Sequence, residues 1–270
     1  MKYRGKSILL WILSFLLMAG AAVYQRMTGP THPTYGKVEI AGEKIKYKLI
    51  RTWEGETDAE IRLKVSDENI QGKYRFKRYK SFDEWSESAM VRDGEELVAY
   101  LPGQPAAGKV EYEVYLGSEQ QFTKLEEEPL VLRYKGHVPL GVLIPHIIII
   151  FMAMMFSVRT GIEAIINGRN LVNYALWTVI LFTVGGMILG PIVQKYAFDA
   201  YWTGWPFGQD LTDNKTLAAL VLWVAAYFQV RHNPNRKGWV IAAAIGLLAV
   251  YLIPHSMFGS EIDYTQQVVK

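Results

Sequence analysis

Two of the five histidines follow proline within apolar stretches, in Pro145-His146 and Pro254-His255. Proline leaves the carbonyl one turn earlier without its amide partner, and an imidazole beside it is placed to bond that carbonyl or to reach across to another helix. An ionisable side chain at membrane depth marks a functional position by default. The helical rise puts His146 about 12 Å below the outer end of its segment, and His255 falls near the outer end of another. Together His146 and His255 make a candidate ligand pair for a b-type haem or a metal ion. A single haem near one face leaves most of the roughly 30 Å apolar core uncrossed, so an electron relay is not expected. His137, Asp210, Asp213, Glu261 and Asp263 widen the choice of metal donors, with His255 among them. Interhelical hydrogen bonds are the commoner use of such histidines and are the expected one here.

A second concentration of chemistry lies at 196–216. Tyr196, Phe198, Tyr201, Trp202, Trp205 and Phe207 place six aromatics within twelve residues, and Asp210, Asp213 and Lys215 follow. Trp and Tyr gather at the headgroup level of membranes, and Asp213 is suited to cap the next helix. The functional alternative makes Trp202, Trp205 and Phe207 a pocket wall folded back under a neighbouring domain, with Asp210, Asp213 and Lys215 as polar contacts to a ligand.

Other motifs fall away. The run Gly103-Gln-Pro-Ala-Ala-Gly108-Lys109 fits seven positions of a phosphate-binding loop, but Val110 stands where Ser or Thr must hold magnesium, and the run links two strands rather than opening a helix. No nucleophile elbow or His-Glu-x-x-His motif occurs, and the chain is expected not to be an enzyme. The absence of cysteine removes disulfides, thiolate zinc, iron-sulfur clusters and c-type haem attachment. A net charge of +3, with its cations gathered at segment ends, points to membrane orientation and away from nucleic acid.

The elements that must position these residues divide between two solvents. The hydrophobic share is 50% and the charged share 20%, but residues 25–137 hold most of the charge, while 138–257 contain long uncharged stretches. Five windows are apolar enough to enter a bilayer: 7–24, 138–158, 171–193, 216–230 and 238–257. Lys2, Arg4 and Lys6 precede the first, Arg159 and Arg169 lie between the second and third, and Arg231, Arg236 and Lys237 lie between the fourth and fifth. Basic flanks stay in the cytoplasm, so the N-terminus is expected inside and the C-terminus outside. Residues 1–25 then form an anchor or an uncleaved signal, because the run Ala19-Gly20-Ala21-Ala22 also suits a leader peptide.

Residues 36–135 read as short strands punctuated by turns, with alternation in Ile45, Tyr47, Leu49 and in Val110, Tyr112, Val114. About seven strands in a hundred residues predict an immunoglobulin-like or fibronectin-like all-β sandwich. Lys135-Gly136-His137 is a short linker, so the sandwich is expected close over the bundle.

The expected fold is therefore a membrane α-helical bundle of five transmembrane helices with the sandwich inserted between helices 1 and 2. Residues 138–257 form the four-helix remainder of the bundle and 258–270 an extracytoplasmic tail. The chain is expected in the cell membrane as a multi-pass protein with its β-domain on the extracytoplasmic side. Its expected partners are the lipid bilayer and a membrane protein or a second copy. The function expected is that of an accessory, assembly or sensing module, and the alternative is a redox or metal protein built on His146 and His255. Gly185, Gly186 and Gly190 should let a helix approach closely, and Pro191 should end or kink the third segment.

Overall fold

The computed structural model describes residues 2–118, 121–254, 259–265 and 268–269, with side chains outside that description at 2–6 and 268–269. The chain forms two compact units. One comprises Met1–Gly29, Val138–Tyr196 and Ala200–Gly259; the other comprises Pro30–His137, Ala197–Asp199 and Ser260–Lys270.

The second unit is built of strands. In chain order they are β1 (Thr34–Ile40), β2 (Glu43–Leu49), β3 (Thr52–Glu54), β4 (Ala59–Lys64), β5 (Ile70–Arg78), β6 (Ser86–Ala89), β7 (Val91–Asp93), β8 (Glu96–Leu101), β9 (Lys109–Ser118), β10 (Gln121–Lys124), β11 (Leu130–Lys135), β12 (Ile262–Asp263) and β13 (Val268–Val269). One sheet runs β3-β11-β9-β5-β6, with β10 added to β9, and a second runs β4-β8-β7. β1 and β2 form a hairpin, and β12 pairs with β13. All pairs are antiparallel except β11 with β3.

Alternation dictates the faces. In β2, Ile45, Tyr47 and Leu49 are buried while Lys44, Lys46 and Lys48 are exposed, and β4 buries Ala59, Ile61 and Leu63 in the same rhythm. These residues join Val110, Tyr112, Leu116 and Leu132 in one core shared by the two sheets and the hairpin. Ala41 and Gly42, both at positive φ (50° and 86°), make the two-residue turn that matches the twist of the β1–β2 hairpin.

The alternation at Ile45, Tyr47 and Leu49 does not run on into Trp53: the chain breaks at Ile50 and Arg51, because β2 pairs with β1 and β3 pairs with β11. Residues 90–91 do not form a strand of their own. Met90 is the step between β6 and β7, where the chain passes from one sheet to the other.

The first unit is helical: α1 (Lys2–Thr28), α2 (Leu140–Ile165), α3 (Leu171–Phe198), α4 (Leu211–His232) and α5 (Gly238–Leu252). Three spans are long and apolar enough to cross a membrane: Ser7–Thr28, Leu140–Ile165 and Leu171–Phe198, with mean hydropathies of 2.1, 2.3 and 2.1. α5 is apolar but shorter.

Ile8, Leu9, Ile12, Phe15 and Leu16 of α1 point outward, while Ser14, Ser157, Thr160 and Thr178 are buried. Water would reverse that arrangement, whereas lipid favours it. Small residues bring the helices together: a Cβ on Gly161 would stand 2.8 Å from the Ala244 side chain, and one on Gly185 would stand 3.0 Å from the Ile150 backbone nitrogen. Pro191 neither ends nor breaks α3. A π-helical stretch, Thr183–Leu189, precedes it, and the helix resumes at Gly190. The π turn takes up the register that a proline without N–H disturbs.

Candidate functional site

The loop between α3 and α4 is organised by the acids that follow it. Asp213 Oδ2 accepts from the backbone N–H groups of Thr203 (2.7 Å) and Gly204 (3.0 Å) and from Gln194 Nε2 (3.1 Å). Asn214 Oδ1 accepts from Trp205 N at 2.6 Å. Gln194 Nε2 also donates to Thr203 Oγ1 at 2.9 Å, and Thr203 Oγ1 donates to Asp210 Oδ2 at 3.2 Å. Asp210, and not Asp213, is the N-cap of α4: its Oδ1 accepts from Thr212 N at 2.7 Å. Asp213 sits in the first turn, where its carboxylate is drawn back to the loop amides and favoured by the helix dipole.

The six expected ligand contacts thus divide into two groups. Asp213 is buried and committed to the loop amides, Asp210 is buried and committed to the Thr203 hydroxyl and the first turn of α4, and Lys215 is buried with Nζ donating to the Ile253 carbonyl at 2.6 Å. That carbonyl lies just past the end of α5 and the one of Tyr251 lies in its last turn, and Gln25 Nε2 bonds both, at 3.3 and 2.5 Å. Lys215 and Gln25 therefore close the C-terminus of α5, whose last carbonyls have no intrahelical donors. Trp205 and Phe207 face outward at 69% and 84% exposure, and Tyr201 joins them. Trp202 Nε1 donates back to Trp205 O at 3.1 Å, closing the turn that carries the tip.

His146 lies in α2, where Nδ1 is 2.9 Å from the Gly185 carbonyl in the π-helical stretch of α3. The bond requires the Nδ1–H tautomer and leaves Nε2 as a lone-pair donor, which is how a ligating imidazole is usually oriented. His255, the other half of the expected pair, lies outside the described residues.

Comparison with protein-family models, curated proteins and solved structures returns no match.

The remaining metal candidates have protein partners. His137 Nδ1 is 2.7 Å from Glu54 Oε1, and hydrogen bonds from His137 and Lys135 hold the Glu54 carboxyl below its usual range. Glu261 is bound by two lysines, and Asp263 Oδ1 accepts from Thr265 N at 3.0 Å. Among the described residues no three His, Asp or Glu side chains converge as a metal cluster. The Gly103–Lys109 run connects β8 to β9.

Sequence reasoning missed Gln25 and Gln194, which are polar residues in apolar surroundings and so carried a signal. It also placed Arg159 in a loop. Arg159 is inside α2 and buried, 2.6 Å from Glu163 one turn on, with Trp11 and Tyr174 rings 5.6 and 5.0 Å from its guanidinium. Glu163 Oε1 in turn accepts from Asn170 N at 3.0 Å and fixes the turn into α3.

Proposed function

We propose that this chain is a multi-pass cell-membrane protein of five spanning helices, N-terminus inside and C-terminus outside, with an immunoglobulin-like sandwich on the extracytoplasmic side. It acts as a non-enzymatic accessory, assembly or sensing module that meets a partner or ligand through the 199–210 loop. The carrying observation is how that loop is divided. Asp213 and Asn214 are spent on its own backbone and Asp210 on the Thr203 hydroxyl and the first turn of α4, while Tyr201, Trp205 and Phe207 are presented to the outside. A preorganised loop with aromatic anchors and no unspent acid is suited to contact and not to acid–base chemistry.

Further support is architectural. β11-β9-β5 beside β4-β8-β7 follows the strand order of an immunoglobulin-like sandwich, in which the last strand joins two central ones and the other sheet collects the rest, once the β1–β2 hairpin is set aside. Lys2, Arg4, Lys6, Arg169, Arg231, Arg236 and Lys237 all fall at one end of the spans and support the orientation.

The loop reading is tested by a photo-crosslinking residue at Phe207 in native membranes. Capture of a defined protein or of a second copy, lost in Trp205→Ala, supports it; adducts with lipid alone overturn it. Orientation is tested by reporters fused at Asn235 and Lys270, expected inside and outside respectively.

The haem or metal alternative draws on the tautomer that Gly185 imposes on His146. Its readout is a Soret band or stoichiometric metal in purified protein, lost in His146→Ala; a colourless, metal-free sample sinks it.

A further inference from the structure

The stretch 260–265 belongs to the β unit and is held there by charge and hydrogen bonds. Glu261 Oε2 accepts from Lys109 Nζ at 2.6 Å and Oε1 from Lys80 Nζ at 2.7 Å. Arg133 Nη2 donates to the Ser260 carbonyl at 2.6 Å, and Ile262 N donates to Ala107 O at 3.3 Å. The Tyr264 hydroxyl donates to Gln104 Oε1 at 2.9 Å and accepts from Lys109 N at 3.2 Å, while Arg78 lies 5.0 Å from its ring centre. A Cβ on Gly108 would come within 2.8 Å of that hydroxyl, so the glycine opens the space for it.

Three features distinguish this from ordinary packing. No side chain of 260–265 enters the hydrophobic core of the unit. Arg78 is matched by Asp83 at 2.7 Å, whereas Glu261 bridges Lys80 and Lys109, so that one carboxylate answers two cations. Lys109 is only 9% exposed, and an ammonium so buried requires an anion against it. Two of the contacts, from Arg133 and to Ala107, address main chain and so tolerate different side chains in the bound segment.

We infer that Lys80, Lys109 and Arg133, with the 104–108 loop, form a docking notch for an acidic peptide segment that ends in an aromatic residue, and that residues 260–264 of this chain occupy it in cis. The notch is independent of the reading of the 199–210 loop. A partner's segment of the pattern Glu-x-x-Tyr competes with the tail, which can leave because its hold is polar. Burial alone would raise the Glu261 carboxyl, yet Lys109 and Lys80 hold it below the usual range, so the occupying group stays charged.

The test uses the full chain in detergent with a protease site inserted after Gly259, and the labelled peptide Ser-Glu-Ile-Asp-Tyr-Thr as probe. Before cleavage the tethered tail competes at an effective concentration of about millimolar, so the probe should not bind at micromolar levels. After cleavage and removal of the released tail, binding should appear and weaken about tenfold for the Glu→Gln peptide and for Lys109→Met in the protein. A cleaved chain that keeps its β-unit amide protection but ignores the probe overturns the inference. So does equal binding of the Glu→Gln peptide, and so does loss of protection on cleavage, which would make the tail part of the fold instead of a ligand of it.

Discussion

Glu113 offers the sharpest test of how the β unit is stabilised. It lies on β9, nearly fully buried, and accepts from Arg75 Nε across to β5, from Tyr115 Oη at 2.5 Å and from Lys124 Nζ at 2.9 Å. Burial acts to raise its carboxyl, but the hydrogen bonds from Arg75, Tyr115 and Lys124 prevail and hold it at about 2, below the ordinary 4.5. At about 1.4 kcal/mol per unit that drop is worth on the order of 3 kcal/mol, and solvent screening of the part-exposed Arg75 reduces it to about 2 kcal/mol.

The sign follows from the lowered value. The stabilisation is complete above the unfolded-state value near 4.5 and is lost as pH falls from there through about 2. Glu113→Gln should therefore lower the protection of β5 and β9 amides by about 2 kcal/mol at pH 7, and the gap to wild type should close between pH 4.5 and 2. Hydrogen exchange by mass spectrometry on the full chain in detergent measures both. A gap that is the same at pH 7 and pH 2.5 would refute the electrostatic origin and leave a packing defect in its place.

Other perturbations discriminate as cleanly. Asp213→Ala removes the acceptor of two loop amides and of Gln194, so the 199–210 loop should be nicked by protease at least about tenfold faster while the helices keep their protection; unchanged nicking would deny that the acid organises the loop. Gly185→Ala presses a methyl to within 3.0 Å of Ile150 N and should destabilise the helical unit by about 1–3 kcal/mol in detergent melting, whereas Gly20→Ala, with nothing within 4 Å, should be neutral. Tyr112→Phe deletes the 2.6 Å bond from its hydroxyl to the Ile50 carbonyl at the β2–β3 break, at a cost of about 1 kcal/mol. A Tyr112→Phe protein as stable as wild type would mean that water replaces the bond.

What could be read in advance followed from the strength of local patterns. Ile45, Tyr47 and Leu49 between lysines read as a half-buried strand, and the apolar runs in α1, α2 and α3 are long and apolar enough to cross a membrane. β6 and β10 escaped because they are four residues long and polar; every residue of β6 is exposed, and pairing alone makes it a strand. The π stretch escaped because glycines before a proline suggest a helix end, and only the packed partner helix shows that the chain continues.

Arg159 is the instructive error. Taken as a basic flank, it supported the orientation; buried against Glu163, Trp11 and Tyr174 it is a packed residue of the helical unit and says little about sidedness. The orientation then rests more heavily on Lys2, Arg4, Lys6, Arg231, Arg236 and Lys237, and on Arg169 alone between α2 and α3.

Long separation hides a polar site more completely than short length hides a strand. Glu261 meets Lys109 across 152 positions and Lys80 across 181, and none of the three belongs to a pattern with a period. Hydrophobic periodicity reports burial of a face, so it locates cores; it carries no information about which cation faces which anion. The same holds for Asp213, whose acceptor role depends on the path of a loop with no repeating geometry. Both features become legible only when distance in space replaces distance along the chain, and both are local enough that one charge-neutralising substitution, Glu261→Gln or Asp213→Asn, should change them without disturbing either core.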